Sequence, residues 1–243
     1  LAFGHLLPFL QLSKSLASRG HRVSFLSTPC NLQRLPRIPP SMSHLITLVE
    51  LPFPSADTRL PHGAEATSDI QPADNHHLKA AFDTLEALFS AFLNSTTPPP
   101  NWVIHDFTAH WMLRVAAPRG LPCAYLSVFQ PSAMAFWGPL AKLIGDVPGT
   151  GCLQKRPTDF MVSPPWTASV RNASAVAYRL HEAQGIFQRK EKSSGVSDAQ
   201  RMGITLESVQ VVLVCTCPEV NSDWLQLLCK LYGKPIQLRS HLE

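Results

Sequence analysis

Two side chains of this sequence, His5 and Asp106, have the types and positions that suit proton-transfer chemistry. His5 lies in the run "LAFGHLLPFLQL", directly after Gly4 and three residues before Pro8. Asp106 follows the mostly apolar run "WVIH". A carboxylate that accepts a hydrogen bond from one imidazole nitrogen fixes the histidine tautomer, and the other nitrogen can then take a proton. The pair could act as a general base and its partner if the fold brings the two together.

The elements that must position this pair alternate between strands and helices. The N-terminal residues 1–3 are predicted to end a strand, and Pro8 is predicted to start a helix that stops at Gly20, a favoured C-terminal cap. Apolar runs predict further strands at 21–28, 45–51, 102–106, 123–129 and 209–216. Helical spacing predicts helices at 77–93, around Trp111, and at 132–144, 173–190 and 219–232. This alternation predicts an α/β fold with a doubly wound, Rossmann-like parallel sheet.

In such a sheet, ligands bind at the carboxyl ends of the strands, where the strand order reverses. If the strand at 1–3 lies between those at 21–28 and 102–106, His5 and Asp106 are expected at the same rim. Each residue also has a plainer interpretation. A histidine in a strand-to-helix turn is often a capping or packing residue, and an aspartate at a strand end often caps the next helix.

The same rim is expected to carry a small-molecule pocket. Phe129, Gln130 and Trp137 follow the strand at 123–129, and Trp111 follows Asp106. Aromatic walls suit a flat polycyclic ligand, so these four residues and Gly4 are candidate acceptor-binding residues. The alternative for the aromatic residues is that they pack in the core.

Composition excludes several classes of function. The chain has 243 residues, 45% of them hydrophobic, and a formal net charge of +4 that is spread along the sequence. Basic clusters such as 189–192 are short and mixed with acid, so nucleic acid is not an expected partner. No uninterrupted apolar run approaches the roughly 18 residues that a membrane span needs. A positively charged segment typical of a signal peptide does not precede the first apolar run.

The six cysteines are irregularly spaced, with no C-x-x-C pair and no zinc-like pattern. Reduced thiols in a cytoplasmic protein are therefore expected. Cys215 and Cys217 alternate at the end of a predicted strand, which predicts two buried thiols on one face. Cys30 is predicted to be a packed or surface thiol rather than a nucleophile.

Several blocks of the sequence resemble plant family 1 UDP-glycosyltransferases. The run "FGHLLPFLQLSKSLASRGHRVSFLSTPCN" is similar to the opening of their N-terminal domain, with its G-H-x-x-P helix and G-H-x-V-[ST]-F strand. The runs "NWVIHDFTAHW", "CAYLSVFQPSAMAFWGP" and "CPEVNSDWLQLLCKLYGKP" resemble later blocks, so the similarity spans nearly the whole chain. "PPWTASVRNASAVAYRLHEA" and "SGVSDAQR" resemble the branch that extends sugar chains on flavonoid or terpenoid glycosides.

This resemblance implies that residues 1–243 form the acceptor-binding N-terminal domain of a GT-B fold, with its first strand clipped. The family's donor-binding motif, with W-x-P-Q, H-C-G-W-N-S and a final D/E-Q, has no counterpart here. In the family the matching histidine is the general base and the matching aspartate its partner, roles that fall on His5 and Asp106. The implied reaction is an inverting transfer from a UDP-sugar to a hydroxyl of a plant small molecule. The implied protein is a monomer with a small-molecule acceptor, a UDP-sugar as donor substrate, and no cofactor or metal.

The residues also bear on two other functions. Because the donor motif is missing, the chain is alternatively expected to be a truncated, non-catalytic fragment that at most binds an aromatic small molecule. A nicotinamide-dependent dehydrogenase is disfavoured, since the turn reads "FGHLLP" and lacks the glycines of G-x-G-x-x-G that let a pyrophosphate approach.

Overall fold

The computed structural model describes residues 2–53, 59–145, 154, 156–190 and 195–239. The chain divides into two compact units, Leu1–Pro99 and Pro100–Glu243. The described strands are β1 (Val23–Ser27), β2 (Ile46–Glu50), β3 (Val103–His105), β4 (Cys123–Ser127), β5 (Val211–Cys215) and β6 (Ile236–Arg239). The described helices are α1 (Phe3–Ser18), α2 (Pro29–Gln33), α3 (Asn75–Asp83), α4 (Leu85–Ser95), α5 (Met112–Ala116), α6 (Pro131–Trp137), α7 (Leu140–Ile144), α8 (Leu180–Lys190), α9 (Asp198–Ser208) and α10 (Pro218–Tyr232).

In the first unit, α1 packs beside a parallel pair of strands. β1 and β2 pair in register from Val23 with Ile46 to Ser27 with Glu50. The core between them and the helices is apolar and consists of Leu10, Ala17, Phe25, Leu32 and Ile46. Burial of these side chains holds the helix against the strands.

The start of α1 differs from the prediction. Ala2 has an extended backbone and the helix begins at Phe3, so the expected strand at 1–3 is wrong for the two described residues. Pro8 is the sixth residue of the helix rather than its first. Its ring removes one backbone donor, which would have bonded the carbonyl of Gly4, but Gly4 is exposed and water can satisfy that carbonyl. Gly4 therefore lies in the helix and does not form the predicted turn.

The long loop after β2, described except for 54–58, is tied to the start of α2 by Glu65. One carboxylate oxygen of Glu65 lies 2.8 Å from the backbone nitrogen of Cys30 and 3.3 Å from that of Asn31. Arg34 and Asp69 add an ion pair of 2.7 Å between the same two segments. The hydrogen bond to Glu65 raises the pKa of the Cys30 thiol, which makes Cys30 less reactive.

In the second unit, four parallel strands form a sheet in the order β3-β4-β5-β6. His105 of β3 pairs in register with Tyr125 of β4. All five residues of β4 are buried, which is typical of a central strand in a parallel sheet with both faces covered. The predicted strand positions are confirmed here within one or two residues at most ends, although the strand predicted at 102–106 is reduced to three residues.

Two predicted helices are each divided in the structure. The helix predicted at 77–93 is α3 and α4, which meet at Thr84. The helix predicted at 132–144 is α6 and α7, separated by Gly138, whose φ of 100° ends α6, and by Pro139. Trp166 lies against this break, since a Cβ on Gly138 would be 2.7 Å from its ring.

Helix α9 was not predicted, because its first residues, Asp198 to Gln200, are polar. It begins with a capping box in which Ser197 and Gln200 exchange hydrogen bonds with each other's backbone nitrogens. The helix packs closely on α7 at Gly203. A Cβ added to Gly203 would lie 2.8 Å from Cβ of Leu143 and 3.0 Å from the backbone nitrogen of Ile144.

We expect Gly203→Ala to lower the free energy of unfolding by roughly 1–3 kcal/mol, because the added methyl group has no space between α7 and α9. Urea denaturation of the chain measures this change. Gly4→Ala is the matched control, since Gly4 is also helical but nothing lies within 4 Å of an added Cβ. That variant should be unchanged or slightly more stable. A Gly203→Ala variant as stable as the original chain would contradict the close packing.

The predicted pair of buried thiols is wrong in part. Cys215 is half-buried at the end of β5, but Cys217 lies beyond the strand, is exposed, and precedes α10. Burial raises the pKa of Cys123 to about 11. The described cysteines are free thiols, and Cys152 is outside the described residues, as is part of the segment predicted to cross at 145–168. None of the described helices is both long and apolar enough to cross a bilayer.

Candidate functional site

Asp106 lies at the carboxyl end of β3 and caps the turn that follows. Its backbone is extended, and its Oδ1 accepts a hydrogen bond of 2.8 Å from the backbone nitrogen of Thr108. The capping role that the sequence left open is therefore present. A carboxylate has two oxygens and about four acceptor positions, so the bond from Thr108 is compatible with a second role for Asp106.

His105, which precedes Asp106, was not singled out in the sequence because it falls on the inward face of a strand. Its ring is buried, and Nδ1 lies 2.9 Å from the carbonyl oxygen of Asp106. A carbonyl only accepts, so Nδ1 carries the hydrogen. Burial lowers the pKa of His105, which keeps the ring neutral. His105 thus fixes the backbone at Asp106 and is too enclosed to be a base for a substrate.

The neighbouring strand β4 contains a second buried aromatic residue with a polar group, Tyr125. It is fully buried on β4, beside His105, and burial raises the pKa of its phenol above the ordinary value. The negative charge of Asp106 raises it further. Tyr125 is therefore a neutral phenol that is close enough to Asp106 for the carboxylate charge to affect its pKa, and it is not a nucleophile.

Two aromatic residues lie at the carboxyl ends of β3 and β4, close to Asp106 in the sequence or on the neighbouring strand. Phe107 follows Asp106 directly, and its ring centroid is 5.8 Å from that of Phe129, which follows β4. Both rings are half-buried, so each has a surface that a ligand could cover. Phe129 thus lies just after β4, as predicted. Phe107 was not predicted to line the site, although its position next to Asp106 in the sequence could have indicated it. Gln130 is exposed beside Phe129 at the start of α6.

The two candidate tryptophans are packed differently. Trp137 is half-buried in an aromatic cluster with Phe136, Phe160 and Tyr178, and its ring centroid is 5.9 Å from that of Phe160. Trp111 is only 2% exposed. This burial favours the core interpretation of Trp111 over a place in an acceptor pocket, because almost none of the residue is open to a ligand.

His5 belongs to the first unit, in the first turn of α1. It is half-buried, and its backbone nitrogen bonds the carbonyl of Ala2 at 2.9 Å. Gly4 beside it is exposed. The structure thus assigns His5 and Asp106 to different units, and their pairing stays a prediction. Within the described ranges, no three His, Cys, Asp or Glu side chains are grouped as a metal site would require.

No protein-family model matches the chain. Curated relatives do. UDP-glycosyltransferase 91C1 of Arabidopsis thaliana is 38% identical over 237 residues, which are 97% of this chain and 49% of that protein. UDP-glycosyltransferase 91D2 of Stevia rebaudiana is 38% identical, again over 97% of this chain and 47% of its own length. Anthocyanidin-3-O-glucoside rhamnosyltransferase of Petunia hybrida is 28% identical over 98% of this chain and 48% of its own.

Solved structures share the fold. UGT89C1 of Arabidopsis thaliana, crystallised with UDP-L-rhamnose, matches all of this chain and 50% of its own with a TM-score of 0.62 at 15% identity. UGT73P12 of Glycyrrhiza uralensis, crystallised with glycyrrhetinic acid 3-O-monoglucuronide, matches 98% of this chain and 46% of its own with a TM-score of 0.63 at 14% identity. The fold is that of a Rossmann-like N-terminal domain in a GT-B protein.

The chain spans about half the length of the curated relatives it matches. The matched region is their N-terminal half. Sequence and fold agree on this assignment: the chain belongs to the plant UDP-glycosyltransferases and corresponds to the N-terminal half of those proteins.

Proposed function

We propose that this chain is the acceptor-binding part of an inverting glycosyltransferase, with His5 as the general base and Asp106 as its partner. The observation that carries the proposal is the position of Asp106. It ends a parallel strand, at the edge where open α/β sheets bind ligands, with half-buried aromatic rings beside it. Membership of the family supports the same reaction class.

In the proposed step, the imidazole of His5 takes the proton of an acceptor hydroxyl while that oxygen attacks the anomeric carbon of a UDP-sugar. The new carbon–oxygen bond forms as the bond from the anomeric carbon to the UDP oxygen breaks, and UDP leaves with the electron pair. The carboxylate of Asp106 stabilises the imidazolium that results. The donor is a substrate, and neither a cofactor nor a metal enters this step.

The acceptor that we propose is a flavonoid or terpenoid that already carries a sugar. Two similar proteins support this class by their names: one is a rhamnosyltransferase for an anthocyanidin-3-O-glucoside, and the other was crystallised with a glucuronide of glycyrrhetinic acid. The Phe107 and Phe129 rings provide apolar area for the flat or polycyclic part of such a molecule. The sugar part would need polar partners, for which exposed Gln130 is the candidate.

A transfer assay tests the proposed function. The chain is joined to the C-terminal half of UDP-glycosyltransferase 91C1, and the fusion is incubated with a UDP-sugar and a flavonoid glucoside. We expect a product whose new glycosidic bond has the inverted anomeric configuration, read from its proton NMR coupling. A product with retained configuration would contradict the mechanism, and failure of a folded fusion to transfer any sugar would contradict the function.

A second candidate is a chain that binds an acceptor without catalysis, and it is favoured by a 26% identical relative from Glycine max that is named an inactive UDP-glycosyltransferase. Titration of the 243-residue chain with flavonoid and terpenoid glycosides separates the two. Saturable quenching of tryptophan fluorescence by the chain, with no transfer by the fusion, would favour the binding-only function. Saturable binding together with transfer would favour the enzyme.

Asp106→Asn separates the capping role of Asp106 from its proposed role with His5. Asparagine is an equally good cap, so the turn at Thr108 should be retained while the negative charge is lost. We expect the ¹⁵N shifts of the His5 ring, measured at about pH 8.5 where ordinary histidine is neutral, to show a changed ratio of tautomers. Transfer by the fusion should fall about 100-fold.

Asp106→Ala is the comparison, since it removes the cap as well and should also lower the free energy of unfolding by about 1 kcal/mol. If the His5 tautomers in Asp106→Asn match those of the original chain, Asp106 is not the partner of His5, whatever the stability of the two variants.

A further inference from the structure

Helix α9 contains a buried cation, the guanidinium of Arg201, which is hydrogen-bonded to the segment that follows Asp106. Arg201 has 0% exposure and is among the largest fully buried side chains of the described residues. Its Nη1 lies 2.9 Å from the carbonyl oxygen of Thr108 and 3.0 Å from Nδ1 of His110. Its Nε lies 3.3 Å from the carbonyl oxygen of Val196, just before the helix. One guanidinium therefore joins α9 to the segment that follows β3.

The directions of these bonds are fixed by chemistry. A guanidinium donates and has no acceptor, so the carbonyl of Thr108 and Nδ1 of His110 must both accept. Nδ1 of His110 is also 3.5 Å from the carbonyl of Thr108, but that longer contact cannot be a donated bond when Nδ1 already accepts from Arg201. Arg201 thus bonds two groups of one short turn, two residues apart.

Thr108 connects this arrangement to Asp106. Its backbone nitrogen donates to the carboxylate of Asp106 at 2.8 Å, and its carbonyl accepts from Arg201 at 2.9 Å. The turn Phe107–Ala109 is only three residues long, so it has few backbone bonds of its own to hold it. The bond from Arg201 to the Thr108 carbonyl has a charged donor, and the bond from the Thr108 nitrogen to Asp106 has a charged acceptor. Each is therefore stronger than a hydrogen bond between neutral groups.

From these contacts we propose that Arg201 is a positioning residue, which holds the backbone of Thr108 so that the carboxylate of Asp106 keeps one orientation at the end of β3. The catalytic use of that orientation rests on the proposed function. The hydrogen bonds from Arg201 to Thr108 and from Thr108 to Asp106 do not depend on it. Burying a guanidinium carries a large desolvation cost, which an apolar side chain in α9 would avoid. The hydrogen bonds that Arg201 donates to this turn offset part of that cost.

The test is an NMR comparison of variants of the full chain, with the backbone amide of Thr108 as the probe. Asp106→Ala gives the Thr108 amide shift when the bond to the carboxylate is lost. We expect Arg201→Met and Arg201→Gln to move the Thr108 amide at least halfway toward that position. Thr205→Val is the control, because Thr205 is equally buried in α9 and its hydroxyl has no hydrogen-bond partner among the described residues. It should leave the amide in place.

A folded Arg201 variant with an unmoved Thr108 amide would overturn the proposal, and so would an equal movement in Thr205→Val, since the effect would then be general to α9. The original chain gives a check that needs no variant: the Nη protons of Arg201 should exchange with water at least 100-fold more slowly than those of exposed Arg156. Ordinary exchange at Arg201 would also overturn the proposal.

This positioning role and the proposed function can fail separately. Unchanged His5 tautomers in Asp106→Asn would contradict the catalytic pair, but the Thr108 amide reports on Arg201 whatever the His5 ring does. If the catalytic pair holds, Arg201→Gln should also shift the His5 tautomers as Asp106→Asn does, and Thr205→Val should not. A loss of stability alone, with both signals unmoved, would assign Arg201 a purely structural role.

Discussion

His5→Ala is expected to lower sugar transfer by the fusion with the C-terminal half of UDP-glycosyltransferase 91C1 by about 10²–10⁴-fold. The reason is that the acceptor hydroxyl then has no positioned base when its oxygen attacks the sugar. The loss should fall on kcat more than on the KM for the acceptor, since proton removal belongs to the transition state. Steady-state kinetics with a UDP-sugar and a flavonoid glucoside measure both constants.

The control for this prediction is His21→Ala. His21 is exposed and lies just beyond the far end of the same helix, α1, so the change removes an imidazole from the same unit. Transfer should be unaffected in that variant. His5→Gln, which retains hydrogen bonding but does not accept a proton at neutral pH, should be as impaired as His5→Ala. Turnover within about threefold of the original in His5→Ala would remove His5 from the mechanism.

Phe136→Ala is expected to lower the free energy of unfolding by about 3–5 kcal/mol, the largest effect on stability that we predict. Phe136 is 1% exposed, and its ring is 5.0 Å from that of Tyr178 in an edge-to-face arrangement and 6.1 Å from that of Phe160. Truncation would leave a cavity between α6 and the turn at Pro157–Met161 and would remove aromatic contacts as well. Urea denaturation followed by circular dichroism measures the loss.

Trp102→Ala is the matched control in the same unit, since Trp102 is a large aromatic residue that is 50% exposed. We expect it to cost less than about 1 kcal/mol, because little apolar area returns to water. Similar losses in the two variants would show that the aromatic cluster is no more important to stability than the surface.

Strand positions were predictable because short apolar runs bounded by turn residues have few alternatives. The runs at 21–28, 45–51 and 123–129 contain β1, β2 and β4. Helix ends were less predictable. Proline suits the first turn of a helix, which predicts a start at Pro8, but the helix begins at Phe3 and runs through Pro8, and Gly4 four residues before it is exposed. Helix α9 was missed because its polar first turn hides a buried face that only its packing against α7 reveals.

Some residues of the candidate site could likewise be identified from the sequence, and others could not. His5 and Asp106 could be named from their positions after predicted elements and from the family's motifs, and Phe129 from its place after β4. The sequence could not decide between the pocket and the core for Trp111, because an indole beside a site and one in the core have the same sequence signal. Phe107, His105 and Arg201 have no motif of their own. Their importance depends on contacts with residues distant in sequence, such as the 93 positions between Thr108 and Arg201.

The sequence by itself determined the fold class, the parallel strands and the family, and it predicts the chemistry of a histidine and an aspartate. These depend on local patterns of apolar and turn residues and on short motifs. The tertiary structure decided which side chains are buried beside Asp106 and how its backbone is held. A buried guanidinium is stable only when its donors are satisfied, and in this chain its partners include two carbonyls and an imidazole from the turn after β3 and the segment before α9.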